Sequence, residues 1–508
     1  MKDSQLNRTF DSSVLETEEF KRSLNPSFDA ATFKQELMQE VQKLTKVFDA
    51  VNHNEILILL LEQIDKVDFR KQAALKQQSE KLGKKHYLVS GIEQILKIAQ
   101  ENNWGICKNQ NCVYLYNGAY WNMIDNAEFE SFLGEAAEKM GIDKFDARLY
   151  TFREQFFKQF MAVANLPKPP QSSQVVLINL LNGTFEFDHE KQFLRPPERK
   201  DFITYQLPFG YNPKAKAPLF EKYLSMVQPD LSRQMILAEY LGYLFVKPSR
   251  LKLEKTLLLY GTGANGKSVF FEIVNALLGG DKNVSSYSLQ NLTNENGYYR
   301  AMLGNKLVNY ASEINGKLET SIFKQLVSGE PVDARLPYGE PFTLHDYAKL
   351  IFNCNELPKE VEQSLAYFRR FLIIAFDVTI PEAEQDKELS KKIIDIELSG
   401  VFNWVLDGLR RLLLQKGFTK SDAVDRQIEI YKMQTDNVQM FLTDEGYAKH
   451  TDDYMEFKEL FGYYRTYCSD SGYHACSKRT FAERLRNAGF VTERRNYGLI
   501  IFVKKVLF

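Results

Sequence analysis

The sequence predicts an α/β protein with a buried parallel sheet in its central part. Three mostly apolar runs support this prediction, at residues 256–260, 306–313 and 349–355. Runs of this length and composition are typical of strands that are covered on both faces. A helical segment follows the first run, from Val269 to Leu278, and ends at a pair of glycines. Strands that alternate with helices indicate βαβ units, in which the strands are parallel.

The turn between the first strand and its helix carries the most informative motif. It matches G-x-x-x-x-G-K-[S/T] and reads Gly261, Thr262, Gly263, Ala264, Asn265, Gly266, Lys267, Ser268. Glycines allow the backbone to curve tightly and approach a ligand closely, and N–H groups at a helix start bind phosphate. We expect Lys267 to reach the β- and γ-phosphates and Ser268 to ligate Mg²⁺. The motif predicts that the chain binds ATP with Mg²⁺.

Three polar residues downstream, together with Lys267, form a predicted catalytic set. Glu313 ends the second strand, and we assign it as the acid that orients the attacking water or holds Mg²⁺. Asn355 ends the third strand, at the edge where open α/β sheets bind ligands. Arg370 has a planar guanidinium that suits phosphoryl oxygens. We assign it as an arginine finger that a neighbouring subunit would supply. The alternative is a structural ion pair. Ser312 precedes Glu313 where such sites often hold a second acid, so Mg²⁺ would depend mainly on Ser268 and ATP oxygens.

A hairpin is predicted between the second and third strands. Turn formers at Pro337 and Gly339 place it at residues 335–342, with Arg335 and Tyr338 near its tip. A cation and an aromatic ring suit single-stranded nucleic acid, because the charge follows phosphates and the ring stacks on a base.

Composition limits the class of protein. A chain of 508 residues predicts about three domains, and 44% apolar with 26% charged residues is ordinary for a soluble protein. The longest aliphatic run, Ile56 to Leu61, is too short to cross a bilayer. Five scattered cysteines favour reduced thiols in a cytoplasm and disfavour zinc. We therefore expect no membrane partner and a cytoplasmic location, in a bacterial cell or a virus-infected host.

The chain divides into four predicted regions. Residues 1–86 form a helical N-terminal region, in which helical spacing from 28 to 69 favours a helical pair over a coiled coil that binds a partner. Residues 87–250 form a mixed α+β domain with two hairpins and a linker near 167–173. The ATPase domain spans 251–425, and a C-terminal domain spans 426–508.

The C-terminal domain is predicted to be a winged helix. A helical pattern at 454–468 precedes a helix capped by Ser477 and a wing hairpin at 490–503. From Ser477 to the end there are eight basic and two acidic residues, in a chain of net charge −1. This is the strongest candidate for phosphate contacts, although a solvated or protein-docking face is the alternative. The predicted DNA-binding residues are Lys478, Arg479, Arg484, Arg494 and Arg495.

In this order, the motifs resemble the superfamily 3 helicases, and closely the C-terminal region of phage and plasmid primase-helicases, the family that includes the poxvirus primase-helicase. The resemblance covers about residues 100–508 and depends on eight segments, at 179–183, 209–213, 218–220, 261–268, 312–313, 324–335, 355–358 and 368–371. It implies an AAA+-like ATPase core, a homo-hexameric ring with nucleotide between subunits, pore hairpins and 3′→5′ unwinding.

The same resemblance leaves some points open. The hairpin tip at 336–339 lacks the lysine-rich sequence of the small viral helicases, so Arg335 or Lys349 is expected to contact the strand. Arg369 is an alternative to Arg370 as the finger. Too few residues precede the similar region for a primase, so a separate primase or origin-binding protein is an expected partner.

The leading hypothesis is an ATP-dependent DNA helicase that acts on single-stranded or forked DNA, in replication of a phage, plasmid or integrated mobile element. One alternative is an AAA+-type NTPase that remodels proteins or packages DNA. The other is a nucleotide-gated DNA-binding scaffold, which Ser312 keeps open. Hydrolysis stimulated by single-stranded DNA separates the helicase from the scaffold, and strand displacement separates it from the motor.

Overall fold

The computed structural model describes residues 50–506 except 77–79, 110–111, 165–174, 189–190, 313, 315–317, 338, 359–361 and 497. The predicted linker near 167–173 and most of the helical pattern at 28–69 lie outside these residues. The first described region holds six helices and an antiparallel sheet of order β1-β2-β3. In chain order these are α1 His53–Glu62, α2 Phe69–Gln72, α3 Lys84–Glu101, β1 Gly105–Asn109, β2 Cys112–Tyr116, β3 Trp121–Ile124, α4 Asn126–Lys139, α5 Lys144–Arg148 and α6 Tyr150–Val163.

The predicted first hairpin is present in this sheet, where Tyr116 pairs with Trp121. Asn117 stabilises the turn, because its Oδ1 accepts hydrogen bonds from the N–H groups of Ala119 and Tyr120, both at 3.0 Å. Three aromatic residues of this hairpin are buried: Tyr114, Tyr116 and Trp121 are 6%, 1% and 2% exposed. They therefore form part of the core.

His53, on α1, is a buried base in this region. Its Nε2 lies 3.1 Å from the carbonyl oxygen of Tyr120, and its ring contacts the Tyr120 ring edge-on at 4.6 Å. Burial lowers the pKa of His53 to about 4, against a smaller opposing effect of the Tyr120 carbonyl. The neutral imidazole is thus the form that fits the fold.

We expect His53 to make the stability of the protein depend on acid pH. Because its folded pKa lies below its unfolded pKa of 6.5, its contribution is complete above pH 6.5 and is lost as the pH falls toward 4. A shift of this size corresponds to on the order of 3 kcal/mol at most. The urea concentration at the unfolding midpoint should decrease between pH 7.5 and 5.0, and His53→Phe should make that decrease smaller. The control His345→Phe, at an exposed position, should leave the decrease unchanged. An equal decrease in the wild type and both variants would contradict the assignment.

The next segment connects this region to the central domain. It contains β4 Val176–Leu180, β5 Gly183–Phe187, β6 Gln192–Arg195, α7 Pro218–Val227 and α8 Leu231–Tyr243. The second predicted hairpin is present, but its turn is Leu181-Asn182 instead of Asn182-Gly183, because Gly183 already pairs with Leu180. The Asn182 side chain is held by Tyr211, whose N–H and carbonyl oxygen lie at 2.8 and 2.9 Å.

The central domain is built on a five-stranded parallel sheet of order β13-β7-β12-β9-β8. Each predicted strand is present: the first has the bounds of its apolar run, and the other two are shorter than theirs. The elements are β7 Thr256–Tyr260, α9 Lys267–Leu278, β8 Val284–Ser285, α10 Leu289–Leu292, α11 Tyr298–Ala301, β9 Val308–Ala311, α12 Thr320–Ser328, β10 Val332–Arg335, β11 Pro341–Leu344, β12 Lys349–Cys354, α13 Leu365–Phe368 and β13 Phe371–Ala375.

Two helices follow the sheet, α14 Leu389–Gln415 and α15 Asp422–Thr435. The helix α14 crosses α8 at very short range. A Cβ on Gly408 would lie only 2.3 Å from the carbonyl carbon of Ala238. Glycine at this position lets the two backbones touch. One core cluster consequently joins the β4–β5 hairpin, α7, α8, α9 and α14 to one face of the sheet.

The C-terminal region has its own core. It consists of α16 Asn437–Asp444, β14 Tyr447–Glu456, α17 Phe457–Asp470, α18 Lys478–Asn487, β15 Thr492–Arg495 and β16 Gly498–Lys505, with the sheet order β14-β16-β15. Ser477 caps α18 as predicted, since its side chain accepts a hydrogen bond from Thr480 N–H. The prediction of helix from Tyr454 was wrong by three residues: Tyr454 to Glu456 pair with β16, so sheet pairing overrides their helical spacing.

Within the described part of the chain, no helix is both long and apolar enough to span a membrane.

Candidate nucleotide-binding site

The phosphate-loop motif forms a strained turn between β7 and α9. Gly263, Ala264 and Gly266 all have positive φ angles, of 121°, 47° and 86°. Gly266 is enclosed by α7, because its carbonyl oxygen accepts a hydrogen bond from the Tyr223 hydroxyl at 2.8 Å. A Cβ at this position would lie 2.6 Å from Cγ1 of Val227. Glycine is therefore required at Gly266 by both its backbone angle and its contacts.

The segment after β13 holds the other side of the loop. The Asn265 Nδ2 group donates to the carbonyl oxygen of Phe376 at 3.2 Å, and the Ile380 N–H donates to the carbonyl oxygen of Ala264 at 2.8 Å. The Gly261 N–H donates to the carbonyl oxygen of Cys354 at 3.1 Å. The loop is thus supported by α7, β12 and the segment after β13.

The backbone donors of the loop fit a polyphosphate. Within the described residues, the N–H groups from Thr262 to Val269 donate no hydrogen bond to other protein groups. The exposed Ser268 hydroxyl lies in the first turn of α9. A run of N–H groups at the positive end of a helix binds phosphate oxygens, and a hydroxyl at this position suits Mg²⁺. The residues present can hold both a triphosphate and its metal ion.

Lys267 lies inside this turn. Its Nζ atom donates to the carbonyl oxygen of Gly261 at 2.5 Å and to Oδ1 of Asn265 at 3.2 Å. Burial lowers the pKa of this ammonium and raises the pKa of the neighbouring Cys354 thiol to about 12. The thiol therefore remains neutral at physiological pH and does not cancel the charge of Lys267.

The sheet brings three predicted site segments to one edge. The strand β12 lies between β7 and β9, with Cys354 beside Tyr260 and Phe352 beside Ala311. Because all three strands are parallel, the loop, the Ser312 position and Asn355 follow carboxyl ends at the same edge. Asn355 is exposed there, whereas Glu313 lies outside the described residues.

The two candidate finger arginines lie at the opposite edge of the sheet. The Arg370 carbonyl oxygen accepts a hydrogen bond from Thr256 N–H, at the start of β7, whereas the phosphate loop follows its end. Five strand residues span about 16 Å, so neither arginine is adjacent to its own loop.

Arg370 and Arg369 differ in exposure. The Arg370 side chain is 10% exposed, and its guanidinium binds the Ser328 hydroxyl at 3.1 Å and the carbonyl oxygen of Ala366. The Arg369 side chain is 56% exposed, with Nη2 2.7 Å from Oε2 of Glu254. Arg369 is therefore the exposed member of the pair, while Arg370 has the surroundings of a structural arginine.

The predicted pore hairpin is formed by β10 and β11, in which Arg335 pairs with Pro341. Arg335 is exposed and its Nε donates to the carbonyl oxygen of Gly339 at 2.8 Å; Tyr338 lies outside the described residues. Lys349 differs from the expectation of a strand contact. Its Nζ donates to the carbonyl oxygen of Val246 at 2.7 Å and lies 4.4 Å from the centre of the Tyr243 ring. Lys349 is half-buried, and burial lowers its pKa to about 7; its ammonium is held by these contacts inside the domain.

The predicted basic surface of the C-terminal domain is only partly available. Lys478, Arg479 and Arg494 are exposed. Arg484 instead joins α18 to α16, with Nη1 3.2 Å from Oδ1 of Asp436 and 3.1 Å from Oδ1 of Asn437. The guanidinium of Arg495 stacks on the Tyr454 ring at 4.5 Å. The contacts of Arg484 are those of a structural arginine and not of a free phosphate ligand.

Sequence reasoning missed Tyr223, Val227 and the segment 376–380, all of which support the loop. Their apolar spacing predicts burial, but no local signal indicates that they pack against residues 40 to 120 positions away.

Comparisons with known proteins relate two segments to families. Residues 80–229 match the family described as D5 N terminal like. Residues 259–370, which include the phosphate loop, match a family of unknown function, DUF5906. No curated protein matches the chain.

Among solved structures, an A form apo structure of the NrS-1 C-terminal region is similar, with 12% identity, coverage of 81% of this chain and 98% of that chain, and a TM-score of 0.45. A second A form apo structure of the same region has 12% identity, 80% and 98% coverage, and a TM-score of 0.43. The candidate site thus lies in a chain that is similar to the D5 N-terminal-like family over residues 80–229 and carries its phosphate loop in the DUF5906-like segment that follows.

Proposed function

We propose that this chain is an ATP-dependent DNA helicase that acts in replication of a phage, plasmid or integrated mobile element. The observation that carries the proposal is the phosphate loop, whose N–H groups, Lys267 and Ser268 lie at the same sheet edge as Asn355. Lys267 would neutralise the β- and γ-phosphates, and Asn355 would hydrogen-bond the γ-phosphate or the attacking water. Ser268 and Glu313 would hold Mg²⁺, which neutralises charge on the phosphates when it is bound.

The proposed assembly is a homo-hexameric ring. Arg369 supports this part of the proposal, because it is exposed and lies one strand length from its own loop. In a ring, such an arginine would contact the nucleotide of the adjacent subunit. A subunit alone would then have an incomplete hydrolytic site.

DNA binding is proposed for two surfaces. The β10–β11 hairpin would contact one strand through Arg335 and Tyr338. The C-terminal domain would act as a winged helix and contact phosphates through Lys478, Arg479 and Arg494. The match of residues 80–229 to the D5 N-terminal-like family is the support from comparison for a role in replication.

The test of the function is ATP hydrolysis with and without single-stranded DNA, followed by displacement from forked duplexes. Hydrolysis that DNA stimulates, with displacement dependent on a 3′ tail, is the expected result. Stimulated hydrolysis without displacement would favour a packaging or remodelling motor. ATP binding without hydrolysis would favour a nucleotide-gated scaffold.

Glu313→Gln is expected to bind ATP normally and to hydrolyse it very slowly. Glutamine preserves the size of the side chain but removes the charge that orients water. Binding is measured by equilibrium titration with ATP, and turnover by phosphate release. Glu319→Gln is a matched control, since Glu319 caps the nearby helix α12 through Ser321. If Glu313→Gln hydrolyses ATP at the wild-type rate, another group must be the base.

A further inference from the structure

Tyr431, on α15, contacts two segments that belong to different parts of the proposed hydrolytic machinery. The residue is 1% exposed. Its hydroxyl donates to the carbonyl oxygen of Pro358 at 3.0 Å. Its ring packs edge-on against Phe368, with the ring centres 5.4 Å apart, and against Phe371 at 6.1 Å. No local sequence motif singles this tyrosine out.

The first contact leads to the end of β12. Pro358 lies three positions after Asn355, and Leu357 between them is buried in the same core as Tyr431. A change at Asn355 when it gains or loses a phosphate contact would therefore move the backbone group that Tyr431 binds.

The second contact, between the Tyr431 and Phe368 rings, leads to Arg369. Phe368 is the last residue of α13, and Arg369 follows it directly. A second hydrogen bond ties α15 to the start of this segment, because Gln363 Nε2 donates to the carbonyl oxygen of Thr435 at 3.0 Å. Close-packed aromatic rings transmit displacements because the interior is nearly incompressible.

We propose that Tyr431 is a positioning residue that couples Asn355 in one nucleotide site to Arg369, which serves the site of the neighbouring subunit. This inference rests on the proposed function. The hydroxyl of Tyr431 holds the segment after Asn355, and its ring holds α13. Binding of the γ-phosphate at one site thereby sets the position of the arginine offered to the next.

The first test is Tyr431→Phe, which removes only the hydroxyl and keeps the ring contacts. We expect kcat to fall roughly 3- to 10-fold, the size of the net contribution of one hydrogen bond, with KM for ATP unchanged. The Hill coefficient for ATP should fall toward 1. The matched control is Tyr205→Phe, which loses an equivalent hydroxyl-to-carbonyl bond, to Leu177 of β4 at 3.0 Å. A wild-type kcat and Hill coefficient in Tyr431→Phe would overturn the inference, as would an equal change in Tyr205→Phe.

Hydrogen exchange tests the coupling itself, with a nonhydrolysable ATP analogue. The measurements use the Arg369→Ala background, in which direct contact with a neighbour's phosphate is absent. The analogue should protect the peptide 256–278 in every variant and change exchange of the peptide 362–375 only where Tyr431 is intact. A response of 362–375 that persists in Tyr431→Phe, or that is missing when Tyr431 is present, would refute the coupling. If the analogue fails to protect 256–278 even where Tyr431 is intact, the result would instead refute the proposed nucleotide site.

Discussion

Replacing Lys267 with alanine is expected to abolish ATP hydrolysis and strand displacement, with turnover at least roughly 100-fold lower. Lys267 is the only cation in the phosphate loop, and its ammonium already lies within the turn, bonded to Gly261 and Asn265. Without it, the charge that develops on the transferred phosphoryl group has no cationic partner from the loop. Phosphate release with and without single-stranded DNA measures the effect.

The matched control for this substitution is Lys222→Ala. Lys222 is exposed and belongs to α7, the helix that packs against the loop, but it makes no contact with Gly266. Its removal should leave turnover unchanged. Near-normal hydrolysis in Lys267→Ala would contradict the assignment of the loop as the nucleotide site.

Arg369→Ala is the second change with a large expected effect. Its subunits should bind ATP and yet lose roughly 10³-fold in turnover, the usual effect of removing an arginine finger. Mixing them with Lys267→Ala subunits should restore part of the activity. An interface between an intact Lys267 on one subunit and an intact Arg369 on the next is then complete.

Arg370→Ala separates the two arginines. Because Arg370 is bonded to Ser328 and Ala366 inside its own domain, its loss should lower the midpoint of thermal unfolding, and mixing should not rescue its activity. If mixing with Lys267→Ala subunits restores the activity of Arg370→Ala but not of Arg369→Ala, Arg370 is the arginine finger, as the sequence favours. Mixed rings that remain inactive despite verified subunit exchange would count against any shared site.

Local signals in the sequence predicted many of the strands and turns. Each strand of the central sheet except the short β8 and the last, β13, follows from an apolar run, and the phosphate loop follows from spacing that glycine conformations impose. The cap at Ser477 and both hairpins in the mixed domain were also predicted, because turns and caps depend on residues close in sequence. The exact turn at Leu181-Asn182 was missed, since cross-strand pairing decided it.

Burial decided what local patterns left open. Arg369 and Arg370 are adjacent and chemically identical, and only the packing of α12 and α13 makes one internal and the other exposed. The sequence predicts Lys349 and Arg484 as DNA contacts, but the Val246 carbonyl and the Asp436 carboxylate bind them. The sequence by itself determined the strand–loop–helix unit and its phosphate chemistry, because those depend on neighbouring residues. The tertiary structure alone decided which charges face solvent and that α7 supports the loop, because both depend on contacts between residues far apart in the chain.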